Sequence, residues 1–284
     1  MKNGTLYFFN PENEEKVQFT EETDTVFNCV YSDTDNMFYY TVVRNGTLSL
    51  KHVDLSVTPV QPSFLINLVD TTEWLFHIEG KAALRYIKNN LFLECNFDHD
   101  IFYFSDVINY SVDKKNLTTL SMTEFKEKYD SENFVKKDST NDYTSIYDRA
   151  RNMVLSDAEY LKEYEDYDIF PDWDPILIDV SADGSKIAIG VVISFVNRAL
   201  GPYCVANVDG TMTKILEGTN VGYECKLPLW SNNNLVYFRE TEKDVNGHTK
   251  WITELCYVRN TDNAERVIDT DADYFAVRKQ QPIK

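Results

Sequence analysis

The stretch that most constrains the fold of this chain is Val180–Gly218, in which apolar runs alternate with tight-turn signals. A polar turn at Ser181–Gly184 precedes the apolar run Ile187–Ile193, and the runs Tyr203–Val208 and Thr213–Leu216 follow on either side of an Asp-Gly pair. Asp-Gly between two apolar runs is a strong hairpin signal. The stretch therefore predicts strand, loop, strand, hairpin and strand, which is most of one four-stranded antiparallel blade of a β-propeller.

The same order of turn and strand recurs on both sides of this stretch. Towards the N-terminus, Ser32–Asn36 precedes Met37–Val43, and an Asn-Gly turn leads to a strand that ends in Val53-Asp54. Towards the C-terminus, Ser231–Asn234 precedes the predicted strand Leu235–Phe238, and a later strand is predicted at Ile252–Val258. The step from the central to the C-terminal copy is about 50 residues, the length of one propeller blade. The sequence thus predicts a repeat architecture.

Residues 74–120 between these units are also strand-like, and they predict one further blade, or one and a half. Residues 121–170 break the pattern. Ser121-x-x-Glu124 and Ser156-x-x-Glu159 are capping boxes, and apolar residues from Tyr143 to Val154 recur at helical spacing. We therefore predict an α-helical insertion at 121–170.

The motif at 181–189, Ser-x-Asp-Gly-x-x-Ile-Ala-Ile, resembles the PD40 (WD40-like) repeat, together with Asn207–Gly210 and Lys214–Leu216. Leu229–Phe238 is a looser match without the Asp-Gly pair, and Val30–Tyr40 with Val53-Asp54 is another. This repeat builds the propellers of TolB and of the N-terminal domains of dipeptidyl-peptidase-IV-like and tricorn-like proteins. The resemblance covers under half of the chain, and propellers of this kind serve as scaffolds, binders and peptidase gates.

The chain departs from the peptidases of this group. A dipeptidyl-peptidase-like protein continues into a hydrolase domain with a Gly-x-Ser-x-Gly nucleophile elbow, and this pentapeptide is absent from the sequence. The fold expected is an all-β propeller of about five four-stranded blades, within a range of four to six. It forms a single domain over 1–284, interrupted by the helical insertion.

Composition narrows the partners. The net charge of −18 argues against nucleic acid, which needs a basic footprint, and against anionic membrane surfaces. Such a charge usually serves only to keep a protein soluble. The more specific alternative is that it attracts a cationic ligand or a cationic protein partner. Five dispersed cysteines form no metal-spaced cluster, so neither metal nor cofactor is expected. No run reaches the length of a membrane span. A bacterial envelope or secreted location follows if an export segment was removed, and a cytoplasmic one otherwise.

One segment carries candidate ligand-binding chemistry. Near the end of the insertion, acidic side chains alternate with aromatic ones, an arrangement that binds cationic or sugar-like ligands through carboxylate pairing and ring contacts. The alternative is a hydrated helix end and a loop whose aromatics pack on the propeller. The candidate ligand-binding residues are Asp166, Asp168, Asp172, Trp173 and Asp174.

The leading functional hypothesis is a non-catalytic propeller that binds a protein or a small ligand, because no residues are identified as catalytic. A second hypothesis is a carbohydrate-active enzyme with paired carboxylates at the propeller axis, although nothing selects a pair among 46 acidic residues. A third is the regulatory propeller of a peptidase that lacks its hydrolase domain.

Overall fold

The structure is a computed structural model, and its described residues fall into two compact units, each presented here by itself. Unit 1 comprises Met1–Asn133 and Ala272–Arg278, and unit 2 comprises Phe134–Asp271 and Lys279–Lys284. The described residues are 5–10, 13–21, 24–57, 59–70, 83–94, 106–129, 143–157, 161–162, 176–195, 199–221, 228–259, 263–270, 272 and 275–277.

Both units consist mainly of short strands. The elements described in unit 1 are β1 (Thr5–Asn10), β2 (Glu15–Glu21), β3 (Thr25–Ser32), β4 (Met37–Arg44), β5 (Thr47–Asp54), β6 (Pro62–Asp70), β7 (Ala83–Ile87), β8 (Asn90–Glu94), β9 (Asp106–Ser111), β10 (Asn116–Ser121) and α1 (Met122–Lys128). Those described in unit 2 are α2 (Tyr143–Ser156), β11 (Ile176–Val180), β12 (Lys186–Gly190), β13 (Ser194–Phe195), β14 (Ala199–Leu200), β15 (Tyr203–Asn207), β16 (Met212–Leu216), β17 (Leu229–Ser231), β18 (Asn234–Val245), β19 (His248–Val258) and β20 (Glu265–Thr270).

The described strands form four antiparallel four-stranded sheets, which we call blades 1 to 4. Their strand orders are β3-β4-β5-β6, β7-β8-β9-β10, β11-β12-β15-β16 and β17-β18-β19-β20, and two hairpins, β1-β2 and β13-β14, complete the described sheets. The predicted all-β class and the four-stranded antiparallel blade are confirmed. The four blades correspond to the three repeat units of the sequence and to the strand-like region between them. A fifth blade stays a prediction.

Asparagine and glycine make the blade turns, as their left-handed backbone shows. The turn between the first two strands of each blade contains one such residue: Asn36 (φ 55°), Asn89 (φ 60°), Gly184 (φ 70°) and Asn232 (φ 56°). Asparagine tolerates this region because its short amide bonds locally to the backbone, and glycine has no Cβ to clash. A low glycine count is therefore compatible with many tight turns.

A repeated backbone hydrogen bond shows that the blades are structural copies. In each of blades 1 to 3, the carbonyl of the residue before the second strand accepts a bond from the amide just after the third strand. The three bonds are Leu55 to Asn36 (3.1 Å), Val112 to Asn89 (3.0 Å) and Val208 to Ser185 (2.9 Å). This shared contact aligns Met37, Asn90 and Lys186 as equivalent first residues of the second strand.

In unit 1, blades 1 and 2 pack face to face. Along the second strand of each blade, successive side chains alternate between the two faces. Tyr39 of blade 1 meets Leu91 and Leu93 of blade 2 in one apolar cluster, whereas the adjacent Tyr40 and Phe92 belong to clusters on the opposite faces. Burial of each such side chain contributes about 1.5–3 kcal/mol. The packing of successive blades is the propeller-like feature of this unit.

Unit 2 repeats this arrangement with blades 3 and 4. Ala188 of blade 3 packs with Leu235 and Tyr237 of blade 4, and Trp230 is buried in the same cluster. The turns also meet, because the amide of Ala182 donates to the carbonyl of Asn232 at 3.0 Å. The Ser-x-Asp-Gly turn of the sequence motif thus lies at a blade–blade contact.

Helix α1 covers the face of blade 2 that points away from blade 1. The predicted capping box is present, since the Glu124 amide donates to the Ser121 hydroxyl at 3.2 Å and the Ser121 amide to the Glu124 carboxylate at 2.9 Å. Phe125 packs against Phe92 with ring centroids 5.0 Å apart, and Tyr129 against the same ring at 4.6 Å. The cap therefore starts a short helix whose aromatics complete the blade.

Helix α2 covers the face of blade 3 that points away from blade 4. Its buried residues Ile146, Tyr147, Ala150 and Val154 have the predicted helical spacing, and they pack against Ile187, Ile189 and Val191 of blade 3. Ser156, expected to cap a third helix, is the last residue of α2 and donates to the Met153 carbonyl at 2.9 Å. Most of that third helix lies outside the described residues. The two helices are confirmed, and the insertion 121–170 and the single domain stay predictions.

Candidate functional site

The candidate site selected from the sequence is not tested by this structure. Asp166, Asp168, Asp172, Trp173 and Asp174 all lie in 163–175, outside the described residues. They stay a prediction. The described residues offer three other places where polar chemistry concentrates, one in unit 1 and two in unit 2.

The first is a tyrosine cluster between blades 1 and 2. The Tyr39 hydroxyl donates to Asp35 at 2.6 Å, and its ring is stacked on Tyr86 with centroids 5.7 Å apart. The imidazole of His52 lies 6.2 Å from the Tyr39 ring. Asp33 and Asp35 are one residue apart, as are aspartates in some calcium loops. The Asp35 carboxylate accepts the hydrogen bond from Tyr39. No group of three potential metal ligands occurs among the described residues.

Burial shifts the pKa values of Tyr39 and His52 towards their neutral forms. It raises the pKa of Tyr39, and the hydrogen bond to Asp35 raises it further. Burial also lowers the pKa of His52, against the opposing charges of Asp54 and Asp35. The Tyr39 phenol is therefore not ionised at neutral pH and is held by its bond to Asp35. The cluster is best understood as packing between the two blades.

The cysteines give a prediction about reactivity. Burial raises the pKa of Cys29 to about 11 and those of Cys204 and Cys256 to about 12, so none of these thiols ionises near neutral pH. In a Cys95→Ser/Cys225→Ser variant, we expect no reaction with Ellman's reagent at about pH 8 until urea unfolds the protein, because only thiolate reacts. Rapid labelling of one native thiol would contradict the buried, structural role.

The second place is a network of ion pairs in unit 2, on the blade 4 face that meets blade 3. The Arg239 guanidinium bonds to Glu254 at 2.6 and 2.8 Å and also to Glu265. The Lys214 ammonium of β16 reaches Glu265 at 2.9 Å, which joins the two blades. Tyr237 also donates to Glu265, and Lys243 pairs with Glu254. The Glu254 side chain is only 3% exposed, so its charge depends on these partners.

Both carboxylates of the network stay ionised. Burial by itself raises the pKa of Glu254, but hydrogen bonds from Lys243 and Arg239 outweigh it and lower the pKa overall. The pKa of Glu265 is lowered in the same way, with Tyr237 and Lys214 opposing burial. A general acid needs a raised pKa near the working pH. These two carboxylates have the opposite property, which suits a structural clamp between blades.

The third place is a β-hairpin that extends beyond the rest of blade 4. Strands β18 and β19 have 12 and 11 residues, against 3 in β17 and 6 in β20. β17 pairs with β18 only as far as Val236, and the pairing of β20 with β19 begins at Glu254. Residues 240–253, which we call the hairpin arm, pair only with each other among the described strands.

The sequence of the arm explains its shape. Asn246 (φ 58°) and Gly247 (φ 79°) form the two-residue turn that suits a twisted hairpin, and the Gly247 amide donates to the Asp244 side chain at 2.6 Å. At the base, the Glu240 amide donates to the Gly218 carbonyl at 2.7 Å. A Cβ at Gly218 would overlap the Glu240 carbonyl oxygen, so this contact requires glycine.

The two faces of the arm differ in charge. Directly paired residues of an antiparallel ladder point to the same face. One face, which we call the acidic face, carries Glu240, Glu242, Asp244, Thr249, Trp251 and Thr253. The opposite face carries Thr241, Lys243, Val245, His248, Lys250 and Ile252. Trp251 is 67% exposed, the highest value among the large hydrophobic residues found exposed.

The sequence patterns did not predict this arm. Asn246-Gly247 is the strongest short hairpin signal, but the flanking residues are mostly charged and give no apolar alternation. The strands predicted here were therefore Leu235–Phe238 and Ile252–Val258, without the segment between them. The turn pair alone could have located the hairpin, although not its extension beyond the neighbouring strands.

Comparisons with known proteins give structural matches only. No protein-family model matches the sequence, and no curated protein matches it. Similar solved structures include TolB from Acinetobacter baumannii (6% identity, TM-score 0.33) and a TolB candidate from Agrobacterium tumefaciens (10%, 0.31). Hydrazine synthase from Kuenenia stuttgartiensis also matches (7%, 0.30). The PD40-like motif of the sequence resembles the repeat of TolB, and TolB structures are among those matched.

The matches differ in how much of each protein they cover. They include 93%, 95% and 93% of this chain, but 48%, 90% and 59% of the respective matched chains. This chain therefore spans about half of the first TolB structure. The architecture described above rests on the strand pairing of this chain itself. Within the described residues, no helix has both the length and the apolar character needed to cross a membrane.

Proposed function

We propose that this protein is a non-catalytic propeller-type binding module, whose blades are a scaffold and whose recognition element for a protein partner is the hairpin arm. The observation that carries the proposal is the extension of β18 and β19 beyond both neighbouring strands, with Trp251 exposed at 67%. A two-stranded hairpin without a packed face is marginally stable in water. An exposed tryptophan on such an arm is typical of a binding hot spot.

The chemistry of the other clusters supports a non-catalytic role for them. Glu254 and Glu265 are ionised and bonded to cations, Tyr39 is neutral and bonded to Asp35, and the thiols of the described cysteines are protonated. Each of these groups is explained by packing within a blade pair. The arm is different because its exposed side chains have no such explanation.

Photo-crosslinking tests the proposal. A photoreactive residue is placed at Trp251, and in a matched control at Phe64, which is 59% exposed on blade 1. After irradiation in a lysate of the source organism, we expect a discrete protein adduct from position 251 and not from position 64. The partner is then purified and its affinity measured directly.

The same affinity is measured with a shortened hairpin, in which Asn-Gly replaces residues 242–251 and the pair Thr241–Ile252 closes the turn. We expect at least about a tenfold loss of affinity, as for removal of a hot spot. Because Lys243 is lost as well, urea unfolding of this variant must show that it remains folded. Equal adducts at both positions, or unchanged affinity of the shortened protein, would contradict the arm as recognition element.

A further inference from the structure

We propose that the acidic face of the hairpin arm binds an extended, lysine- or arginine-rich segment of the partner protein. This inference rests on the proposed function and adds the chemistry of the partner. It concerns a sheet face with an exposed tryptophan, on a strand pair that has no third strand among the described residues. An extended segment of another chain can bind along such a strand pair.

The charge of the arm selects a cationic segment. Glu242 and Asp244 are both exposed on the acidic face, whereas Lys243, His248 and Lys250 all point to the opposite face. The whole chain carries a net charge of −18, which attracts cationic partners and repels anionic ones over longer distances. Electrostatic complementarity of this kind increases association rates and excludes partners of the wrong charge.

The spacing of the acidic side chains selects an extended conformation. Glu242 and Asp244 occupy alternate positions of one strand, so their attachment points lie ~7 Å apart. Alternate side chains of an extended peptide have the same repeat. Basic residues at every second position can therefore meet successive carboxylates without bending the peptide.

Trp251 adds a site for the basic groups themselves. It is paired directly with Glu242, which places the two Cβ atoms about 5 Å apart. An ammonium or guanidinium group between them contacts the indole face and the carboxylate together. Cation–π contacts contribute about 0.5–2 kcal/mol, and tryptophan is the best aromatic partner. The pair Glu242–Trp251 is therefore the expected centre of recognition.

Fluorescence anisotropy with labelled peptides and the full chain tests this inference. The probe is an alternating Lys-Thr peptide of about eight residues, long enough at ~3.4 Å per residue to cover the arm, and an alternating Glu-Thr peptide is its control. We expect the lysine peptide to bind, with weaker affinity at higher salt. Trp251→Ala and Glu242→Lys should each weaken binding by at least about tenfold.

Two matched variants separate the arm from general effects. Glu127→Lys makes the same charge change at an exposed position of α1, and Phe64→Ala removes an exposed aromatic from blade 1. We expect less than about a twofold change from either. The inference is overturned if the glutamate peptide binds equally well, if the lysine peptide does not bind, or if Glu127→Lys weakens binding as much as Glu242→Lys.

A second copy of this chain is the other occupant to test for, because the two faces of the arm have opposite charge. Sedimentation of the wild type and of Glu242→Lys is expected to show the same species. If the wild type dimerises and Glu242→Lys does not, the acidic face belongs to a second copy and the peptide proposal fails. A crosslinked partner without a basic segment would also overturn this inference while leaving the proposed function intact.

Discussion

Replacing Arg239 with methionine is expected to lower the free energy of unfolding by about 1.5–3 kcal/mol at neutral pH. The variant keeps most of the side-chain volume but removes the cation that bonds both Glu254 and Glu265. Glu254 is 3% exposed, so water cannot replace the lost partner. Without Arg239, Glu254 keeps only Lys243, and Glu265 keeps Lys214 and Tyr237. Each buried carboxylate therefore loses part of its charged hydrogen bonding, and the network is weakened without leaving a charge unpaired. Urea unfolding monitored by fluorescence measures the loss.

The pH dependence identifies the mechanism. Both carboxylates have lowered pKa values when folded, so their stabilisation is present above the unfolded value of about 4.3 and is lost as the pH falls through the folded values. The difference between wild type and variant should therefore be largest near neutral pH and shrink below about pH 4. A pH-independent difference would instead indicate lost packing.

The control for Arg239 is Arg44→Met. Arg44 is 71% exposed and lies 3.8 Å from Asp24, so its ion pair is hydrated. Exposed pairs contribute about 0–1 kcal/mol, and we expect a change within this range. An equal effect of the two substitutions would show that the blade 4 network contributes no more than a surface pair.

Replacing Gly201 with alanine is expected to destabilise unit 2 by about 3–5 kcal/mol, the sum of backbone strain and overpacking. Gly201 has φ +147°, and a Cβ there would overlap the carbonyl oxygen of Val191. The backbone is fixed at this point, since the Val191 amide donates to the Pro202 carbonyl and the Val221 amide to the Gly201 carbonyl, each at 2.9 Å. The clash therefore displaces two segments of blade 3.

Gly184→Ala is the matched control for this substitution. Gly184 also has a positive φ of +70°, but no heavy atom lies within 4 Å of the position of its Cβ. The cost is then backbone strain alone, about 1–2 kcal/mol. If both variants unfold at the same urea concentration, the close approach of Gly201 to Val191 does not contribute, and the larger value expected for Gly201 is wrong.

The local elements were accessible to sequence reasoning because each depends on neighbouring residues. The Asn45-Gly46 turn, the capping box at Ser121 and the helical spacing of Ile146 to Val154 are all present as predicted. The assignment of Ser156 as a cap stays a prediction, because its expected partner Glu159 lies outside the described residues.

The two candidate sites differ in how far the sequence could predict them. The acidic segment 163–175 is a local pattern, and it remains a prediction because it lies outside the described residues. The hairpin arm was missed because its importance depends on where β17 and β20 end, which is a property of the assembled sheet. Trp251 reads as one aromatic among many until its exposure is known.

The sequence by itself determined the repeated turns, the alternating strands and the two helices, since backbone preference and side-chain period act over a few residues. Only the tertiary structure decided which blade face each helix covers, that Arg239 joins Glu254 to Glu265, and that residues 240–253 extend beyond the neighbouring described strands. Those outcomes depend on contacts between residues distant in the chain, such as Lys214 with Glu265 and Gly218 with Glu240. Cross-strand register and blade packing create these contacts, and no local pattern encodes them.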